Sequence, residues 1–361
     1  MPILNSSRFV SRRAVGILAL TVLAATLAVA GEPGEPGRSA LVLTSTNDQD
    51  SNQVIVFQLE ASGTPSLSLL QTLPTDGKGG ASGNAGILQV RGDLGAVANY
   101  GSNSVSELVR EGDSFYVRGR IALASGCVKP DSVALTSEQL LVAGATCVES
   151  HAWPSGVLDG AVVHLADPSA AQIAVGRTWG AVTMTSGSVL QVGLTPWGAL
   201  DGTATPVALP STANNTPLGA AFWGDTLGFT PAHSPDSFAI VDAQRNVYPV
   251  AGPTPSYPAN APCWVAKGRG NVWYTGNSPG QAISIFFSDG RGGVFYKSVP
   301  LPGVPTDLTV SPDGKWLAVI YTANGSGYVS VFAIDPYGDL SPEATSDPIG
   351  GAAFSGVAIS Q

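Results

Sequence analysis

The sequence predicts an all-β fold: a seven-bladed β-propeller whose ring is closed by pairing the C-terminal strand into blade 1. Three observations lead there. Glycine (44) and proline (27) are abundant and only 12% of the 361 residues are charged, a composition suited to many short strands joined by tight turns. From about residue 40 one pattern recurs: an apolar strand, an Asn/Gly/Ser turn, an alternating strand, then an acidic or glycine-containing turn. The equivalent strand starts near positions 40, 94, 138, 187, 225, 270 and 315, a period of about 46 that signals four strands per blade. Finally, the first copy lacks an innermost strand, and Phe354–Ser360 at the far end of the chain supplies one.

The elements follow in order. Arg8, Arg12 and Arg13 precede an apolar run, Ala14–Ala30, that ends in Ala28-Val29-Ala30. Small residues before the cut are what a signal peptidase accepts, so residues 1–30 read as a cleaved export signal. The run is also short and rich in Ala and Thr for a bilayer span. Residues 31–39 read as an extended Gly/Pro linker and 40–361 as the propeller. Its clearest copies are Leu94–Val109, Asn271–Phe287 and Lys315–Ile334, where alternation of period two marks half-buried strands and Asn/Gly/Ser the hairpins between them. Ser311-Pro312-Asp313-Gly314 is a tight turn leading into the last copy. Blade 4 scans least well: its third strand, expected around Pro196–Asp201, contains proline and glycine.

Charge narrows the function. Cleavage after Ala30 removes three arginines and no acid, taking the formal net charge from −9 to −12. Such a chain repels nucleic acid and anionic membranes unless it carries a basic patch; the Lys and Arg residues are scattered, so neither partner is expected. Cys127 and Cys147 lie 20 residues apart, and outside the cytoplasm a disulfide between them is chemically reasonable, contributing roughly 3 kcal/mol by loop closure. Cys263 stands alone. Without a CxxC pair a thiolate zinc site is not expected. Asp48, Asp50 and Asn52 begin like a calcium loop, but Gln53 replaces the required glycine and Leu59 the bidentate glutamate, which excludes an EF-hand. No metal or cofactor is expected.

In a propeller the loops leading into the inner strands and those between second and third strands open on one face, around the mouth of the central channel. The first set holds Asn84, Lys129, Asp131, Arg177, Trp179, Trp264 and Asp307; the second holds His151, in the long insertion Thr146–Gly160, and His233. His151 or His233 is the candidate general base, with Arg177 or Lys129 to hold a carbonyl oxygen or carboxylate. Asn84, Asp131, Trp179, Trp264 and Asp307 are candidate substrate contacts. Each also has an ordinary reading: asparagines shape turns, aspartates cap amides, tryptophans pack between blades, loop histidines are solvated. His164 falls in a strand and reads as structural. GxSxG, GxxxxGK[ST] and HExxH are all absent.

Three phrases carry a resemblance: Asn99–Leu108 (NYGSNSVSEL), Pro262-Cys263-Trp264, and Tyr321–Asn324 (YTAN) followed by Gly327–Asp335 (GYVSVFAID). The glycine-rich Gly77–Gly83 adds to them. Over most of residues 40–361 the chain resembles the seven-bladed lactonase family of 6-phosphogluconolactonase-like and carboxymuconate-cyclase-like propellers. The resemblance implies a channel histidine that works with arginines on a carboxylated or lactone substrate. Where a Pro-His pair commonly opens a middle blade of that family, this chain reads Val128-Lys129-Pro130-Asp131. The acidic charge and few basic residues disfavour a sugar phosphate. Two functions are therefore expected as alternatives. One is a secreted or periplasmic lactonase-like enzyme hydrolysing a small lactone at the channel mouth. The other is a non-catalytic propeller binding a small molecule or an envelope protein. A monomer is expected in both.

Overall fold

In blade 7 the strand Trp316–Ala323 is apolar at nearly every position, and the reason is that both its faces are covered. Leu317, Val319 and Tyr321 pack with Tyr274, Ile283 and Ile285 of blade 6, while Ala318 and Ile320 pack with Val42, Phe57 and Ile359 of blade 1. Each such side chain taken from water contributes about 1.5–3 kcal/mol. Outer strands alternate instead, because one face meets solvent: Ser66–Pro74 carries exposed residues at most positions. The computed structural model describes residues 39–61, 64–234, 236–252, 261–351 and 353–361. The expected export signal lies outside the described residues, as does the linker up to residue 38. No helix among the described residues is long and apolar enough to cross a membrane.

Seven antiparallel sheets of this kind form the ring. Their inner strands are Ser355–Ser360 (blade 1), Leu88–Arg91 (blade 2), Pro130–Leu135 (blade 3), Ala170–Val175 (blade 4), Pro217–Trp223 (blade 5), Pro262–Lys267 (blade 6) and Val304–Val310 (blade 7). Each touches the inner strand of the blade on either side, so the contacts run round the ring and close. Closure uses the chain's two ends: Leu41 pairs with Ser360, Val42 with Ile359, Leu43 with Ala358 and Thr44 with Val357. Blade 3 has a fifth, short strand, Val163–His164, that pairs with Cys147 and Val148.

The expected second strands start at Ala40, Leu94, Gln139, Thr226, Val272 and Trp316, as the repeat implies. Blade 4 differs by one strand. Its second strand is Trp179–Met184, and the segment near 187 begins the third, Ser188–Leu194. Pro196-Trp197-Gly198 is the turn after that third strand, with Gly198 at φ +83°, which explains the poor scan. The slip arises because Trp179-Gly180-Ala181 lacks β-branched residues and reads weakly as a strand start.

Deleting residues 355–361 should leave blade 1 with three strands and an open edge. We expect loss of a single cooperative calorimetric transition, together with self-association on size exclusion. An unchanged melting profile would show that closure is dispensable.

Candidate functional site

Blade 2 is entered by a glycine-rich segment, and its last part does not stay at the rim. The Asn84 side-chain amide donates to the Asp131 carbonyl in blade 3 (2.7 Å), and the Trp264 indole of blade 6 donates to the Asn84 carbonyl (3.1 Å). Ala85 N–H donates to the Ala171 carbonyl of blade 4 (3.1 Å), and Val133 N–H of blade 3 to the Gly86 carbonyl (2.9 Å). The Gly86 N–H lies 3.4 Å from the Asp307 carboxylate of blade 7. A segment that touches blades 3, 4, 6 and 7 crosses the ring, so Asn84–Gly86 plugs the channel. Gly86 is required there. Its φ is +68°, and a Cβ would sit 2.9 Å from the Gln172 amide and 3.1 Å from the Ser132 hydroxyl. Gly356 of blade 1 is under the same constraint, at φ +79° with Ile87 2.4 Å from where its Cβ would be.

Inner strands of blades 3, 6 and 7 carry a proline at their first or second position and then bulge, between Pro130 and Ser132, Pro262 and Trp264, and Pro305 and Asp307. The bulge turns the strand's first side chains toward the plug. Asp131 and Asp307 are both almost fully buried, but they are used differently. Asp307 accepts from the N–H groups of Leu308 (2.8 Å), Gly86 and Val357, fastening the plug to blades 7 and 1. Burial nevertheless pushes its carboxyl up to about 7. The carboxylate of Asp131 accepts no hydrogen bond among the described residues. Burial pushes it, too, up to about 7, against the pull of the Lys129 ammonium.

The structure therefore gathers Asn84, Asp131, Trp264 and Asp307 at one place, with Lys129 exposed beside them, its ammonium 5.6 Å from the Tyr100 ring centre. The remaining expected residues lie elsewhere. His151 is not in a loop: it stands in the third strand of blade 3, Cys147–Ala152, and is buried. Its Nε2 lies 2.8 Å from the Glu149 carboxylate and its Nδ1 3.1 Å from the Gly156 carbonyl. Both ring nitrogens are spent inside the blade. Arg177 lies in the turn joining the first two strands of blade 4 and Trp179 opens the second of them, on the face opposite the expected site, a consequence of the one-strand slip. Arg177 is exposed; Trp179 is buried, donating to the Asp225 carbonyl and stacked under Arg245 at 4.0 Å. His233 is in the expected loop of blade 5, exposed, with Nδ1 3.1 Å from the Thr216 hydroxyl.

Cys127 and Cys147 are joined, with Cα atoms 5.4 Å apart. Their sulfurs and the Glu149 carboxylate lie within 4.8 Å of one another, but bonded sulfurs present no thiolate to a metal. Cys263 is free, and burial pushes its thiol up to about 11, which makes it a poor nucleophile at neutral pH.

Sequence reasoning missed the lower half of the channel. Beneath the plug is a chamber of about 320 Å³, walled by all seven inner strands and reaching Lys267. The Lys267 ammonium donates to the Gly268 and Gly270 carbonyls (2.7 Å each) between the rings of Trp223 and Trp273, 5.0 and 5.2 Å away. The only signal in sequence is that Lys267 ends an otherwise apolar inner strand.

No protein-family model and no curated protein matches the sequence. Solved structures do match. A Lactobacillus plantarum protein aligns with a TM-score of 0.66 at 13% identity, over 90% of this chain and 99% of that one. A Bacteroides uniformis protein described as a 6-phosphogluconolactonase gives 0.65 at 14%, over 89% and 99%. The periplasmic gluconolactonase of Pseudomonas aeruginosa gives 0.63 at 15%, over 90% and 99%. What they share with this chain is the fold.

Two predictions follow from the plug and its carboxylates. Gly86→Ala should cost roughly 1–3 kcal/mol, read as a lowered urea midpoint with an unchanged slope; an unaltered midpoint would mean that Asn84–Gly86 does not fill the channel. For Asp131, a folded pKa above the unfolded value means that the native state holds the extra proton between about 4 and 7. Its contribution is fully present below pH 4 and is lost as pH rises through 7, a swing of up to about 4 kcal/mol. Asp131→Asn should therefore raise the melting temperature at pH 8 and leave it little changed at pH 4.

Proposed function

We propose that the protein is an exported, lactonase-like hydrolase acting on a small lactone at the channel mouth, with Asp131 as general base. The observation that carries this reading is the state of Asp131: buried, without a hydrogen-bond partner among the described residues, and held near pH 7. A carboxylate left in that condition costs stability, and such costs concentrate where chemistry needs them. Asp131 also follows Pro130 at the position where the resembled family carries its histidine. Two of the structural neighbours are described as lactonases, which supports the substrate class.

The step is simple to balance. Asp131 takes a proton from water as the oxygen attacks the lactone carbonyl. The tetrahedral intermediate expels the ring oxygen, which takes that proton from Asp131, and the hydroxy acid so formed leaves, giving its carboxyl proton to water. Lys129 stands close enough to feel the Asp131 charge and would stabilise the carbonyl oxygen as it becomes negative.

The test is a panel of uncharged and carboxylated lactones offered to the mature protein and to Asp131→Asn. Hydrolysis should fall by roughly 10²–10⁴ in the variant, and wild-type kcat/KM should rise with pH through about 7 as the base ionises. His151→Gln and His233→Ala should stay near the wild-type rate. Hydrolysis that survives loss of the Asp131 carboxylate would sink the assignment. A second reading, a binding propeller without catalysis, is favoured by one observation: amides and an indole surround the plug, and among the described residues no histidine or arginine joins them. Its signature is a ligand that raises the melting temperature while no lactone is cleaved.

A further inference from the structure

We infer that the Cys127–Cys147–Glu149 cluster of blade 3 is a redox-gated site for a divalent, thiophilic metal ion, Zn²⁺ by its donor set. It is closed while the disulfide stands and opens once that bond is reduced. Spacing along the chain argued against a thiolate site, because no CxxC pair is present, but the fold joins two cysteines 20 residues apart. Both sulfurs and a Glu149 carboxylate oxygen lie within 4.8 Å of one another, and all three side chains are buried. Two thiolates and a carboxylate are ligands that zinc accepts, with a fourth position left open. A tetrahedral ion with Zn–S of about 2.3 Å sets its two sulfurs roughly 4 Å apart. Cα atoms 5.4 Å apart allow that separation by side-chain rotation.

The two cysteines do not need their own bond to stay in place. The Thr146 hydroxyl donates to the Gly126 carbonyl (2.8 Å) and accepts from Val128 N–H (3.1 Å). Ala145 N–H donates to the Val128 carbonyl (3.0 Å), and Ala124 N–H to the Glu149 carboxylate (2.9 Å). Cys127 is thus held on both sides against the strand that carries Cys147, whether or not the sulfurs are joined. Glu149 is aimed from a third direction: its other oxygen lies 2.8 Å from His151 Nε2, and His151 Nδ1 faces the Gly156 carbonyl. Both ring nitrogens face acceptors, so one proton lies between His151 and Glu149, and the pair carries no net charge. Two thiolates and a divalent cation then sum to zero, as a buried site requires. Reduction is the gate. A dithiol gives the Cys127–Cys147 bond two electrons and two protons and becomes a disulfide itself. The ion then displaces both thiol protons to water. Bridged directly or through the metal, Cys127 stays crosslinked to the third strand of blade 3.

The inference does not depend on lactone hydrolysis, because the site stands on the third strand of its blade and not on the channel wall. The test uses the mature protein with Cys263→Ser, so that only this pair supplies thiols. Reduced with a phosphine, freed of it and titrated with Co²⁺ without oxygen, it should take up one ion per chain and show thiolate-to-cobalt charge transfer in the near ultraviolet. Zn²⁺ should displace the cobalt, and the oxidised protein should show no such band. Glu149→Gln should keep the band but weaken Zn²⁺ binding by roughly tenfold or more, and His233→Ala should change nothing. Cys127→Ser, which keeps the surrounding hydrogen bonds and one thiol, should lose tight binding and keeps the test decisive should Glu149→Gln fail to fold. Cobalt uptake that is equal in the oxidised and reduced proteins overturns the proposal, as does tight binding that survives Cys127→Ser. A reduced protein that unfolds and that Zn²⁺ does not refold overturns it too, since the hydrogen bonds would then not hold the pair.

Discussion

Everything in this molecule depends on the pairing of Ala40–Ser45 with Ser355–Ser360. Blades pack through side chains, and those contacts can be shed one at a time; a hydrogen-bonded strand joining the two chain ends cannot. Because the inner strand of blade 1 comes last in sequence, all seven blades must be in place before the ring shuts. The strand is also a wall of the channel: Val357 donates to Asp307, and Gly356 makes room for Ile87 beside the plug. Closure and site thus share the same residues.

The plug follows from that geometry. A seven-bladed ring leaves a hole on its axis, lined by strands with one free edge each, and an open hole would wet those edges. Here the Asn84–Gly86 backbone fills the upper part by bonding to the edges directly. That solution needs a residue without a Cβ at the tightest point. It also needs a carboxylate to hold the amide of that residue, and Gly86 and Asp307 meet those needs. Asp131 meets none of them. It bulges from the same height in blade 3 and caps nothing, so its burial has no structural return that we can identify.

Much of this was legible in the sequence, and the failures are instructive. Strand alternation is dictated by which faces are covered, so Leu94–Val109 and Lys315–Ile334 announce their blades. The missing inner strand of the first copy announces closure. Blade 4 slipped by one strand because its second strand starts at Trp179-Gly180, where neither β-branching nor alternation is visible. That one slip moved Arg177 and Trp179 to the wrong face. His151 was misplaced for a different reason: its strand, Cys147–Ala152, is polar at Glu149, Ser150 and His151, and buried polar strands look like loops until their partners are known. Asn84, Asp131, Trp264 and Asp307 were found because loop position is set by strand count, which survives low similarity. Gln89 and Gln172, which accept from Leu135 and Ala220 of the neighbouring blades, were not found, since nothing in the sequence marks which way a glutamine on an inner strand turns.

The plug divides the channel into an upper end at Asp131 and a lower chamber walled by the inner strands. Above it stands the Asp131 carboxylate, which accepts no hydrogen bond among the described residues; below it, the side-chain oxygens of Gln89 and Gln172 accept from the edge N–H groups of Leu135 and Ala220.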